Sequence, residues 1–444
     1  MDYKPYWSDE LDELQNKLSQ AREEAESNPS QEANLSLQQA KAKFLRYKLE
    51  AQRKSWKSKT ASLNLERDGR KLWRLTKQLN DDKDQARGQV TLEEDGEMLT
   101  GRQAANVFAH NYKDVSDIPV NREQQREARR EQRERKTDRE TPCHMNQRLT
   151  LHELKTVLKK LKTKKSPGPD GITNEMLIHL GPTATSKLLE IYNHSWKQGQ
   201  LPQIWREAIM IPILKKGKDP KKAASYRPVS LTSCVVKTME MIVNARLKWY
   251  LETNNLLATQ QAGFRQFRST EDQTTFLAQE VEDAFQEQKV VLTAWIDLQR
   301  AFDKVWIDGL QVKLMRSGVG GAMLQWIKSY LNNRRARVTL NQATSRKFLL
   351  RHGVPQGGVL SPTLFLVFVN DLVSELPRGV QAALYADDLV LWCKEEHATT
   401  AKYRMQQAID KLSAWAEDWC VTTNKDKSCT TLFTLSSTQR AGKS

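Results

Sequence analysis

Long apolar runs are missing from this 444-residue sequence, and so is any cluster of cysteines. No stretch approaches the about 20 apolar residues that cross a bilayer. The opening MDYKPYWSDELDEL has no apolar centre of the kind a secretory leader needs. The expectation is a soluble, intracellular protein. The five cysteines, Cys143, Cys234, Cys393, Cys420 and Cys429, are scattered without CxxC pairing. That excludes a disulfide framework and a zinc site of ordinary spacing, and Cys143 beside His144 is too isolated to count as a metal motif. Acidic residues are outnumbered, 54 against 70 basic, for a net charge of +16. Such a balance attracts polyanions, either nucleic acid or an anionic membrane surface. An amphipathic segment with a strong apolar face is also lacking, which leaves the membrane surface without support.

What is present divides by texture. Residues 8–85 are polar and helical, with Leu11, Leu14, Leu18, Ala21 and Ala25 forming one stripe and Leu37, Ala40, Phe44, Tyr47 and Ala51 a second. SNPSQ at 27–31 separates them, so a helical hairpin is expected, serving as a scaffold or, through RKSWKSK at 53–59, binding RNA. The block NREQQREARREQRERKTDRE reads as a solvated helix or disordered linker. The expected domains are therefore a helical region at 1–120, a charged linker at 121–148, a globular domain at 149–435 and a tail at 436–444. The globular part alternates apolar runs, helical patterns and Gly/Pro punctuation, an α+β texture. WREAIMIPILKK (205–216) and KVVLTAWIDL (289–298) read as strands, and GKDPKKAASYRP (217–228) as a basic loop.

Charge inside apolar strands is the sharpest local signal. LYADDLVLW places Asp387 and Asp388 within a buried pattern, and Asp297 closes the strand VVLTAWI. A tight turn explains the pair but leaves Asp297 unexplained. Adjacent carboxylates raise one another's pKa or else hold a cation, and oxygen-only ligands suit Mg²⁺. Three aspartates sharing two magnesium ions is the arrangement that in-line nucleotidyl transfer needs.

WIDLQRAFDKVW, GVPQGGVLSPTLF and LYADDLVL, in that order, resemble motifs A, B and C of reverse transcriptases. The flanking QAGFRQFRSTEDQ and YRPVSL resemble the non-LTR, LINE- or jockey-like branch, over about residues 149–435. The resemblance implies the fingers and palm of a right-hand polymerase, with an antiparallel palm sheet backed by helices. It implies RNA-templated synthesis of DNA from a DNA primer and dNTPs, with two Mg²⁺ ions for which Mn²⁺ can substitute. Asp297 and Asp387 become the main metal ligands and Asp388 a weaker third. Lys215 or Lys216, with Arg227, reach the triphosphate; Gln356 and Gly357 contact the nucleotide; Phe302 becomes a gate against the 2′-hydroxyl. Lys427 becomes a general acid and Arg265 a template contact, while Ser269 and Asp272 look like a helix cap. Asp303 is expected to cap or pair locally. The setting implied is the nucleus or a cytoplasmic ribonucleoprotein.

The sequence also departs from the family. Gly358 stands where many relatives carry serine, and no match to an endonuclease or a thumb is found, so a chain truncated at both ends is expected. Two other readings stay open: an RNA-templated RNA polymerase, against which Phe302 and Ala386 speak, and an inactive palm kept as an RNA-binding scaffold.

Overall fold

The computed structural model describes residues 7–27, 30–61, 90–94, 96–137, 143–340 and 343–436. They form two compact units, residues 1–88 and 89–444. The first holds two helices packed on each other, α1 (Asp9–Ser27) and α2 (Gln31–Ala61). Leu11, Leu14 and Ala21 are buried, and the Trp7 ring meets Phe44 edge-on at 6.3 Å. Tyr47, expected on the second stripe, is exposed instead. Lys48, one turn beyond Phe44, takes the inward position with its ammonium 5.8 Å from that ring, its stem serving as apolar surface. RKSWKSK falls on the end of α2, with several of its side chains outside the described residues.

The second unit begins with a small hairpin, β1 (Leu92–Glu94) and β2 (Glu97–Leu99), and the helix α3 (Gly101–Val115). Then come α4 (Arg122–Thr137), α5 (Cys143–Asn146), α6 (Leu151–Lys160), α7 (Asn174–Ile178) and α8 (Pro182–Gln198). Strands β3 (Glu207–Leu214) and β4 (Tyr226–Thr232) precede α9 (Cys234–Thr253), α10 (Thr270–Gln286) and β5 (Val290–Asp297). After α11 (Ile307–Arg316) and α12 (Gly321–Leu331) follow β6 (Arg334–Leu340), β7 (Ala343–Thr344) and β8 (Phe348–Leu350). The chain continues through α13 (Ser361–Val369), β9 (Val380–Tyr385), β10 (Asp388–Glu395), α14 (Ala398–Asp418) and β11 (Cys429–Phe433). Among the described residues no helix is long and apolar enough to cross a membrane.

Two sheets organise this α+β unit. One is four-stranded and antiparallel in the order β11-β5-β10-β9. Alternation along its strands turns Leu292, Ala294, Ile296, Leu389, Leu391 and Leu384 toward the main core, which α11, α13 and α14 complete. The opposite face is covered by α10 only at the end remote from Asp297, where Leu277 and Ala284 pack on Val291, Val390 and Trp392. Trp295 and Tyr385, nearer that aspartate, stay exposed. The other sheet runs β4-β3-β6-β7, with β8 also on β6. Phe108 and Tyr112 of α3 join its core with Met210, Tyr226, Val338 and Leu350.

Two expected boundaries change. Residues 89–120, assigned to the N-terminal region, belong to the second unit because α3 supplies the apolar cover of this sheet. The 121–148 block is not a linker over Arg122–Thr137, which form α4, docked on α11 and the end of α14; residues 138–142 lie outside the described set. Arg316 makes two bonds to Glu131 at 2.8 and 2.9 Å, and Gln124 and Gln132 donate to the Glu417 and Asp308 carbonyls at 2.8 and 3.2 Å. These anchors are polar, so apolar periodicity could not reveal them. The tail at 437–444 also lies outside the described residues.

Candidate active site

Register brings the aspartates together. Asp297 is the last residue of β5 and Asp388 the first of β10, and they are direct cross-strand partners on the open face. Asp387 occupies the two-residue turn between β9 and β10, since Tyr385 pairs with Asp388. The turn reading and the clustering of the three carboxylates therefore both hold. Ala386, the other turn residue, has φ 60°. The side chain of Gln261 clasps this turn, its Oε1 accepting from the Ala386 and Gly263 amides at 3.0 and 2.8 Å and its Nε2 donating to the Ala386 carbonyl at 3.3 Å.

The Asp387 carboxyl is held above the usual aspartate value of 3.8, by burial first and then by the charges of Asp388 and Asp297. Asp297 has cationic company: Lys427 Nζ lies 3.3 Å from Oδ2, and Asn424 Nδ2 donates to the same oxygen at 2.9 Å. As the side chains stand, no three metal-ligating groups converge among the described residues. The donor set nevertheless suits a hard cation. It is oxygen only, its members repel one another, and an ammonium already stands against Asp297.

A cationic group faces these carboxylates. Lys215, at the end of β3, donates to the Ala224 carbonyl at 3.2 Å. Burial lowers its pKa first, and the charges of Arg300, Arg227 and Lys427 lower it further. Arg227 lies exposed on β4 rather than in the basic loop, because the strand begins at Tyr226 and pairs Arg227 with Ile213. Arg300 adds a cation that the sequence reading passed over, although it lies inside WIDLQRAFD; its φ of 52° holds it in the left-handed region.

The GVPQGG segment connects β8 to α13 and is tied on three sides. Gln356 Nε2 donates to Asp303 Oδ2 at 2.9 Å, and the Gln356 carbonyl accepts from the Ser230 amide of β4 at 2.8 Å. Asp303 thus pairs with a residue 53 positions away rather than locally. Desolvation pushes its carboxyl up to about 6, against the Gln356 bond and the charges of Arg300, Arg334 and Lys215. Gly357 has φ 105°, and a Cβ there would stand 3.1 Å from the Ser230 carbonyl, so glycine is required. At Gly358 a Cβ would meet Tyr330 Oη at 2.6 Å, which explains why serine is absent from this position.

Beneath this segment lies a fully buried carboxyl, Glu240 of α9. Its Oε2 accepts from the Val359 and Leu360 amides and from Tyr330 Oη at 2.7, 3.1 and 3.0 Å, while Oε1 has no partner. Burial raises its pKa, against those three donors. An acid within the apolar run VVKTMEMIV is the signal that could have found it.

Phe302 sits in a turn ahead of α11, not at a helix start. One side of its ring stacks on Phe365 at 4.8 Å, and Phe264 approaches edge-on at 6.0 Å. Arg265 is drawn inward: its side chain is 8% exposed and pairs with Glu252 at 2.6 Å, with further bonds to the Ala258 and Gln261 carbonyls. That leaves no guanidinium face turned outward for a template. Ser269 and Asp272 form the expected capping box of α10.

The family model described as reverse transcriptase (RNA-dependent DNA polymerase) matches residues 213–441. The probable RNA-directed DNA polymerase from transposon BS of Drosophila melanogaster is 34% identical over 305 residues, 67% of this chain and 34% of that protein. The RNA-directed DNA polymerase from mobile element jockey of the same species is 33% identical over 303 residues, 66% and 33% of the two chains. The corresponding X-element protein is 29% identical over 286 residues, 64% and 31%. The chain thus spans about a third of the length of these relatives.

Proposed function

The chain belongs to the reverse transcriptase (RNA-dependent DNA polymerase) family, in the company of jockey-like non-LTR transposons, and from that premise we propose that it extends a DNA primer with dNTPs along an RNA template. The observation that carries this reading is the pairing of Asp297 with Asp388, with Asp387 in the adjoining turn, opposite a cluster of four cations. The four-stranded sheet is read as the palm and the five-stranded sheet with α3 as fingers.

Asp297 and Asp387 hold two Mg²⁺ ions, or Mn²⁺ in their place, with Asp388 as the weaker third ligand. When bound, the ions supply a lowered pKa for the primer 3′-hydroxyl and neutralise charge on the triphosphate and the leaving pyrophosphate. Lys215 and Arg227, joined by Arg300, hold the phosphates; arginine can do so bidentately and lysine as a point charge. Gln356 and Gly357 bring side chain and backbone against the nucleotide. Phe302, backed by Phe365, presents its free edge under the sugar and excludes a 2′-hydroxyl. Lys427, released from Asp297, is placed to protonate the departing pyrophosphate. Arg265 acts by bracing the segment that clasps the Asp387 turn.

The test is primer extension on an RNA template with Mg²⁺ and either dNTPs or rNTPs, with Asp387→Asn as control. Extension with dNTPs alone, lost in the control, is expected. Extension with rNTPs would defeat the Phe302 argument and favour an RNA polymerase. Absence of extension alongside retained RNA binding would favour a scaffold.

A further inference from the structure

The Gln356 side chain carries one donor group and one acceptor, and which of them faces the nucleotide is a two-way choice. Coordinates alone do not settle such a choice, because the amide oxygen and nitrogen are assigned from their partners. Here the partner settles it. Asp303 Oδ2 lies 2.9 Å from the amide, and an ionised carboxylate can only accept. The NH₂ group is therefore committed to Asp303, and Oε1 is left as the free polar end.

The surroundings make this a held geometry. The Phe302–Val305 turn and the Gly353–Val354 segment are zipped together, Gly353 donating to the Val305 carbonyl and Val354 to the Phe302 carbonyl, both at 2.8 Å. Buried Arg334 donates to the His352 and Gly353 carbonyls, each at 2.6 Å, bracing the start of the same segment. The Ser230 amide fixes the Gln356 backbone from β4 at 2.8 Å. Asp303 and Gln356 consequently cannot drift apart without breaking a backbone ladder. Phe302, the residue placed under the sugar, is the immediate neighbour of Asp303.

We propose that Asp303 is a positioning residue that turns Gln356 Oε1 toward the sugar, where it accepts a hydrogen bond from the 3′-hydroxyl of the incoming nucleotide. This rests on the polymerase reading above. The chemistry is selective, because a deoxyribose triphosphate offers one hydroxyl donor on its ring, at the 3′ position. Loss of that hydroxyl leaves a desolvated carbonyl oxygen unpaired, so a 3′-deoxy analogue is rejected by the same contact.

The experiment measures equilibrium binding of dATP and of 2′,3′-dideoxy-ATP to the 444-residue chain with Mg²⁺, on an RNA template whose DNA primer ends in a dideoxynucleotide. No turnover is needed. The unaltered chain should prefer dATP about tenfold, the worth of one hydrogen bond. Asp303→Leu should bring the ratio to about one while dideoxy-ATP binding is retained, which also certifies a folded pocket. Should Asp303→Leu fail that criterion, Asp303→Ala takes its place. Asp303→Asn keeps an acceptor with no compulsion on the amide and should retain about half of the preference. Gln356→Leu should abolish the preference, and adding Asp303→Leu to it should change nothing more. A preference that survives Asp303→Leu, or an equal loss of both nucleotides, overturns the proposal. If the unaltered chain binds neither nucleotide, the polymerase reading falls first and takes this inference with it.

Discussion

Glu240 offers the most demanding test of how the GVPQGG segment is held. One oxygen of a carboxyl wholly withdrawn from water receives the Val359 and Leu360 amides and the Tyr330 hydroxyl. Glu240→Ala removes the acceptor and leaves three buried donors without partners, at about 1–1.5 kcal/mol each. The expected loss is about 3–5 kcal/mol, which in a unit of this size lowers Tm by roughly 5–10 °C. Glu240→Gln keeps an oxygen in place for all three donors and puts NH₂ where Oε1 has no partner. It should cost less than about 1 kcal/mol. The pH dependence has a definite sign. A carboxyl whose folded pKa is raised binds its proton more tightly in the folded state. Its stabilising contribution is full below the unfolded value near 4.5 and is lost as pH rises through the folded value. Glu240→Gln should therefore gain on the unaltered chain between pH 5 and pH 8. Urea unfolding followed by tryptophan fluorescence at both pH values is the assay. If Gln is as damaging as Ala at pH 8, the site holds a charge, and the account of a neutral carboxyl is refuted.

Other expectations follow from the same geometry. Arg227→Ala should raise the dNTP KM by about tenfold or more with a smaller effect on kcat, because the cation binds phosphate before and during transfer; an unchanged KM removes Arg227 from the triphosphate site. Lys427→Met frees Asp297 of its 3.3 Å partner and should tighten Mg²⁺ binding in calorimetry while slowing extension; weaker Mg²⁺ binding contradicts the role of Lys427 as a competing cation. Arg265→Ala should cost about 3 kcal/mol of stability through its loss of the Glu252 pair and leave the salt dependence of RNA binding unaltered, whereas a slope reduced by about one unit restores the template contact. The dATP preference should erode as pH falls through about 6, when Asp303 gains a proton and can donate to the amide. Lys215, Arg300 and Arg334, the cations around Asp303, keep their charge there, so a preference flat to pH 5 speaks against the Asp303 orientation.

The aspartates were legible because like charges in apolar strands have few explanations, and the strands because their alternation is clean. Lys215, one of two lysines in an ambiguous register, is singled out by its neighbours Arg227 and Arg300. What escaped was held by contacts between distant segments. The docking of α4 depends on Glu131 finding Arg316, and a charge block reads the same whether its charges meet protein or water. Gln261, quoted within QAGFR, carries no signal of its own, since its partner lies 125 residues on. Arg265 was misjudged for the complementary reason: an arginine beside a template-like motif looks free until Glu252 is brought to it.

The turn at Ala386 has a consequence for how the chemistry is inherited. Of its two central residues only Ala386 has positive φ, the place glycine normally fills in such a hairpin, and an alanine there costs about 1 kcal/mol. The hairpin on its own would not choose this shape. Gln261 imposes it from outside, by taking both backbone groups of Ala386. The spacing of the aspartates is thus written in two places, and only one of them contains an aspartate. A substitution at Gln261 can silence the site with every charged side chain intact, and LYADDLVLW carried alone into another protein takes its carboxylates along but leaves their separation behind.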